Sequence, residues 1–432
     1  MAYLTPFAAR AQPKYFKTLT TFTGTNGATP LANLVAGPPG ILYGTTYYGG
    51  NLTSPLCAPN GCGVVFRLTE SGGTWTETPL YTFKGGSDGA NPAGPIAFDK
   101  AKGTLYGTTA NGGAGGFGTV FSLTLAGAKT TLYSFAGMGA ADGANPFGEL
   151  ALNAGVLYGT TANGGQATGV FTLGCGTVFS LSPPTSGSDW AETVLYRFAG
   201  GSTGADPSSG VIVGAPSPLT LYGTTFYGGV TNASCPDGCG TVFSLVLGAG
   251  GWVESAQPFN GTNGANPLAG LTMGSGEVLY GATTGGGSGE CANCGTVYEV
   301  ETSAGISEPE VVYSFTGVNG DGATPFGTVL FDSATGVLFG TTVSGGNTSG
   351  ACAATGGCGT LFMIPPGSVK DYILYSFTGG KDEMNPQAGV VTYKGNLYGT
   401  TAPLAGPGSS STDGTVFTYL CTKNPTCCGK GC

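Results

Sequence analysis

The chain has 432 residues, of which 9% are charged and 83 are glycine, with a formal net charge of −9. Its 14 lysines and arginines are too few and too scattered to neutralise phosphates, so neither nucleic acid nor an anionic membrane surface is an expected partner. No run of about 18 apolar residues occurs, so no membrane-spanning helix is predicted, and 13 cysteines, mostly in close pairs, predict disulfides and a secreted or cell-surface protein.

In chain order, residues 1–14 read as a leader or extension that lacks the charged start and apolar run of a complete signal peptide. The first predicted strand is Thr18-Leu19-Thr20-Thr21, ending at Phe22. A phrase then begins at Leu42-Tyr43-Gly44-Thr45-Thr46 and recurs from Leu105, Leu157, Leu221, Leu279, Leu338 and Leu397. Each copy is followed by GTVFSL or a variant, starting at Gly63, Gly118, Gly176, Gly240, Gly295, Gly359 and Gly414. A third phrase, an apolar run closing on phenylalanine, ends at Phe83, Phe135, Phe198, Phe259, Phe315 and Phe377, matching the opening one at Phe22. Seven copies in 432 residues give a period of about 60.

These runs are β-branched and aromatic and are separated by Gly, Pro, Asn and Asp, which predicts strands and turns. With an inner strand after each proline, as in Ala93 to Asp99, every unit holds four strands. The predicted fold is therefore all-β, a seven-bladed β-propeller of four-stranded blades spanning residues 15–420 as one domain. The lone opening strand and the last GTVFTY phrase complete one blade, closing the ring through the amino-terminal strand. Residues 421–432 form a cysteine-rich tail.

Phrases of the type DGANP, LYGTT, GG and GTVFSL, in this order, resemble the GloVer tandem-repeat family, named from Gloeobacter and Verrucomicrobia. The resemblance runs over about residues 15–420. It implies an exported bacterial repeat protein and assigns no catalytic residue. Members with diverse carboxy-terminal anchors are implied too, and the tail here departs from that by having no apolar anchor.

Units of this length exceed the roughly 40–45 residues of a common blade, and the surplus lies largely between LYGTT and GTVFSL. In a propeller that loop shares one face with the DGANP segment joining successive blades, so this is the expected working face. Cysteine pairs lie in four such loops: Cys57 with Cys62, Cys235 with Cys239, Cys291 with Cys294, and Cys352 with Cys358. Loop staples are the preferred reading over redox chemistry or metal binding, because a chain with no histidine has fewer ways to build either. Cys175 lacks a partner in its loop, whereas Cys421, Cys427, Cys428 and Cys432 could form two disulfides, link subunits or hold a metal.

Seven small polar residues precede the prolines: Thr29, Asn91, Asn145, Asp206, Asn266, Thr324 and Asn385. Two readings stand side by side: a polar ring at the mouth of the axial channel, or local turn chemistry in the extended geometry favoured before proline. Asp88, Asp142 and Asp321 read as turn residues in preference to calcium ligands. Tyr47, Tyr48, Phe226 and Tyr227 replace small residues after LYGTT and are the ligand-binding candidates, able to stack on sugar rings or anchor a protein. Trp75, Trp190 and Trp252 enter fourth strands and are expected between blades.

Without histidine the common triads and zinc sites are missing, and no P-loop is present, so catalysis is not expected and no cofactor or metal is implied. The leading functional expectation is a binding module for an extracellular glycan or protein, acting through the stapled-loop face. The alternative is a structural surface, matrix or filament protein that self-associates through tail disulfides. A histidine-independent, glycan-active enzyme stands behind both.

Overall fold

The computed structural model describes residues 13–137, 142–216, 218–288, 291, 293–403 and 413–423. Among them, seven four-stranded antiparallel sheets form the blades of a propeller. In the first blade the strands run outward as Val35–Ala36, Ile41–Thr46, Val64–Ser71 and Thr74–Thr82. In the seventh, Val391–Tyr393, Asn396–Thr401 and Thr415–Tyr419 are completed by the amino-terminal Phe16–Thr21. Phe16 pairs with Tyr419 and Thr21 with Thr415 across that closure. Ladder hydrogen bonds between the two ends of the chain therefore hold the ring shut. The predicted inner strand is shorter than expected, reduced to Ala97–Asp99 in the second blade, because the residues just after the proline pack against the neighbouring blade.

The apolar core is divided among the seams between adjacent blades. Phe83, at the end of the first blade's outer strand, meets Phe121 of the second edge to face at 5.2 Å, and both are fully buried. The same edge-to-face contact recurs around the ring, from Phe22–Phe66 to Phe377–Phe417, with Tyr298 in place of the second phenylalanine against Phe259. Burying one such ring contributes roughly 1.5–3 kcal/mol. These contacts also explain the glycine of LYGTT. Gly107 lies opposite Phe121 on the adjacent strand, and a Cβ there would sit 2.7 Å from the phenyl tip and 2.9 Å from Ile96.

Threonines tie the same seams. The first threonine of the phrase donates to a carbonyl at the inner edge of the next blade, as from Thr160 to Ser209 at 2.6 Å and from Thr341 to Ala388 at 2.6 Å. Ala282 replaces this threonine in the fifth blade. The tryptophans fall between blades as expected: Trp75 meets Tyr393 and Tyr398 of the seventh blade, and Trp190 meets Tyr106 of the second. Trp252 packs in the seam between the third and fourth blades. Among the described residues, no helix is long and apolar enough to cross a membrane.

Candidate functional site

The loop after LYGTT and the segment joining two blades lie on one face and pair with each other. Ala28 bridges to Tyr48, Ala90 to Asn111 and Ala205 to Tyr227. In the seventh blade the corresponding residue is Pro403, which has no N–H to donate. The paired loops give the face a rigid floor.

The seven polar residues before the prolines anchor this floor. Their backbones are left-handed, with φ between 57° and 61°. The extended geometry expected before proline is therefore corrected: the chain must turn sharply into each blade, and Asn and Asp tolerate that conformation best. Each residue binds two blades at once. The Asn91 N–H donates to the Cys62 carbonyl of the first blade at 2.7 Å, its carbonyl accepts from Ala110 of the second, and its Nδ2 donates to the Tyr47 carbonyl. Asn145, Asn266 and Asn385 repeat the side-chain bond to Ala110, Phe226 and Val343. Asp206 instead accepts from Ser208, and Thr324 accepts from Ser344. None of these side chains, nor Thr29, lines the central cavity. They are inter-blade clamps, and the axial polar ring is not formed.

Four disulfides join Cys57 to Cys62, Cys235 to Cys239, Cys291 to Cys294 and Cys352 to Cys358. The second cysteine of each pair supplies the carbonyl that the next blade's clamp residue binds, so each staple steadies a loop and a seam together. Cys175 occupies the same place as a free, buried thiol, and its carbonyl accepts from Asp206. Burial pushes that thiol's pKa up, opposed by a hydrogen bond with Thr168. Cys421 is buried and disulfide-bonded. Cys427, Cys428 and Cys432 lie outside the described residues.

The two aromatic pairs have different surroundings. Tyr47 and Tyr48 meet edge to face at 4.7 Å, as do Phe226 and Tyr227. Tyr227 is covered by Phe171 of the preceding blade's loop, with ring centres 5.7 Å apart. Tyr48 instead borders an open recess of about 300 Å³ between the first and second blades. Asn91 and Asn111 share that recess, its wall is the Cys57–Cys62 loop, and exposed Leu56 stands at its rim. The Asn111 Nδ2 donates to Asn91 Oδ1 at 3.2 Å. Tyr47 has its phenol pKa raised, first by burial and then by Tyr48, against a hydrogen bond with Asn111.

A second concavity lies on the axis. It has a volume of about 360 Å³ and is walled by the residues that follow the seven prolines. Most are apolar or small, Phe147, Leu268 and Phe326 among them, and Glu149 is the ionisable residue in the lining. The Glu149 side chain is open to solvent inside the channel yet enclosed by the surrounding blades, and that desolvation pushes its carboxyl up to about 7. Sequence reasoning missed it. The available signal was that the third residue after proline is uncharged in the other six repeats.

The turn aspartates are engaged by their own turns. Asp142 accepts from the Ala136 and Gly143 N–H groups at 2.6 and 2.7 Å and from the Tyr133 hydroxyl. Asp88 accepts from Tyr81 and from Lys129 of the next blade. Among the described residues, no group of three His, Cys, Asp or Glu side chains is placed to hold a metal.

Together the ring of seven sheets, the closure strand and the stapled loops define a closed β-propeller with one elaborated face and an axial cavity. The Gloeobacter/Verrucomicrobia repeat model matches residues 5–173 and 168–417. The chain belongs to that repeat family. No curated protein matches it.

Solved propellers do. A protein of Bacteroides uniformis, provisionally assigned as a 6-phosphogluconolactonase, shares 13% identity at a TM-score of 0.48, over 81% of this chain and 91% of its own. The periplasmic gluconolactonase of Pseudomonas aeruginosa shares 14% at 0.46, over 96% and 97%. Likeness this remote concerns the fold alone. The expectation that the chain is not an enzyme is corrected, since neither a propeller fold nor the missing histidine excludes catalysis; proteins described as lactonases are among the solved structures that resemble the chain, which assigns it no activity.

Proposed function

We propose that this propeller is an extracellular binding module whose loop-crowned face takes a glycan in the recess beside Tyr48. One observation carries the reading: of the two aromatic pairs, the one at Tyr48 borders an open hollow that also holds two asparagine amides. An aromatic face beside amide donors and acceptors suits a sugar ring, whose faces are apolar and whose edges are hydroxyls. A wall tied by Cys57–Cys62 and a floor clamped at Asn91 keep the hollow in shape before binding, which lowers the entropy lost on association. Four disulfides support an oxidising, extracellular setting.

The test is a glycan-array screen of the folded chain beside Tyr48→Ala and Tyr227→Ala. Capture of a glycan that falls at least tenfold in Tyr48→Ala and persists in Tyr227→Ala supports the reading. Equal capture by the Tyr48 variant, or no glycan captured by the wild type, overturns it.

A further inference from the structure

We propose that the axial cavity is a second binding site, selective for a small organic cation with a protonated amine on an apolar body. Its volume of about 360 Å³ falls within the range of small-molecule sites, roughly 300–1,000 Å³. The first residues after the prolines supply a largely apolar rim, with Leu31, Phe147, Leu268 and Phe326. The next position is glycine, alanine or serine in all seven repeats, and these small residues leave the space empty.

Glu149 then breaks the symmetry of the ring. The equivalent positions hold Asn33, Pro95, Gly210, Gly270, Thr328 and Gly389, so the scaffold does not require an acid there. Among the described residues no other ionisable side chain lines the cavity, and none gives the Glu149 carboxyl a hydrogen bond or an ion pair. Although water reaches it, the surrounding blades disfavour the charged form of this carboxyl, which has no counter-charge beside it. A bound ammonium supplies the missing charge at the one place the walls lack it, while the rim covers its apolar part. A hard divalent ion fits less well, since it needs six or more oxygen ligands and this lining offers a single carboxylate.

The experiment is isothermal titration of the full chain with 4-phenylbutylammonium and with the neutral 4-phenylbutanol at pH 8, repeated with Glu149→Gln. The expected result is saturable binding of one ammonium per chain, with the alcohol at least tenfold weaker and Glu149→Gln at least tenfold weaker for the ammonium. Wild-type binding should also weaken at pH 5, where the carboxyl is protonated. Absence of saturable ammonium binding, equal affinity for the alcohol, or an unchanged Glu149→Gln would overturn the proposal. The ammonium-to-alcohol comparison on the wild type stands whatever the variant's folding, and the whole test is independent of the Tyr48 recess.

Discussion

Asp371→Asn should make the protein more stable at pH 8 and by a clearly smaller margin at pH 5, the gain vanishing below pH 3.8. Asp371 immediately precedes the sixth blade's outer strand, Tyr372–Ser376, and lies beside Asp321 in the turn that leaves the fifth. Asp321 already receives Tyr313, the Thr316 N–H and hydroxyl, and the Gly322 N–H. Asp371 has an oxygen with no hydrogen-bond partner, and its carboxyl is pushed from 3.8 to about 7, mainly by burial and then by the charge of Asp321. Its pKa in the folded state lies above the unfolded one, so between these values the native protein holds a proton that the unfolded chain has lost. The resulting stabilisation is fully present below pH 3.8 and disappears as pH rises through about 7.

At 1.36 kcal/mol per tenfold change the ceiling is roughly 4 kcal/mol, and relaxation with water penetration at a partly buried site lowers the expectation to about 1–2 kcal/mol. Asparagine keeps the shape and removes the charge. Urea unfolding followed by tryptophan fluorescence at the two pH values is the assay. A variant whose stability varies with pH just as the wild type's does would refute the coupling between these blades.

Glu192 should add a parallel effect, since burial and then Asp142 push its carboxyl up to about 7, so Glu192→Gln is expected to gain stability at pH 8 in the same urea assay. Gly107→Ala drives a methyl group into the Phe121 ring and is expected to cost roughly 1–3 kcal/mol, read as a lower thermal midpoint. Asn385→Ala removes a buried clamp from a left-handed position, and a loss of roughly 2–3 kcal/mol is expected by thermal melting. Deleting Phe16–Thr21 leaves the Thr415–Tyr419 edge unpaired and strips the stacking of Phe16 on Tyr375. Thermolysin should then cut in the seventh blade first, whereas uniform resistance would argue against closure by this strand. Cys175 should stay unmodified by a thiol reagent until the chain is unfolded.

Much of the fold was legible because the repeat writes each structural requirement seven times. The phenylalanines ending each outer strand, the recurring LYGTT and GTVFSL strands, and the four-strand count per unit all follow from spacing and residue type. The site was legible only in part. Tyr47, Tyr48, Phe226 and Tyr227 stood out as departures from the repeat, yet their sequence is alike in both blades. Phe171, which covers Tyr227, comes from a different loop, and no local pattern links the two. The clamp residues were visible as a set, but their role depends on the Cys62, Cys175, Cys239, Cys294 and Cys358 carbonyls of preceding blades.

The sequence by itself determined the blade count, the closure by the amino-terminal strand, the face that carries the long loops and the local disulfide pairs. Each of these depends on residues near one another in the chain or on an exact repetition of phrases. Only the tertiary structure decided which aromatic pair stays open, that the polar residues before proline join blades, and that Glu149 is the ionisable group facing the axial cavity. Those outcomes arise where separate blades meet, and a period of about 60 residues cannot encode what one blade lays against its neighbour.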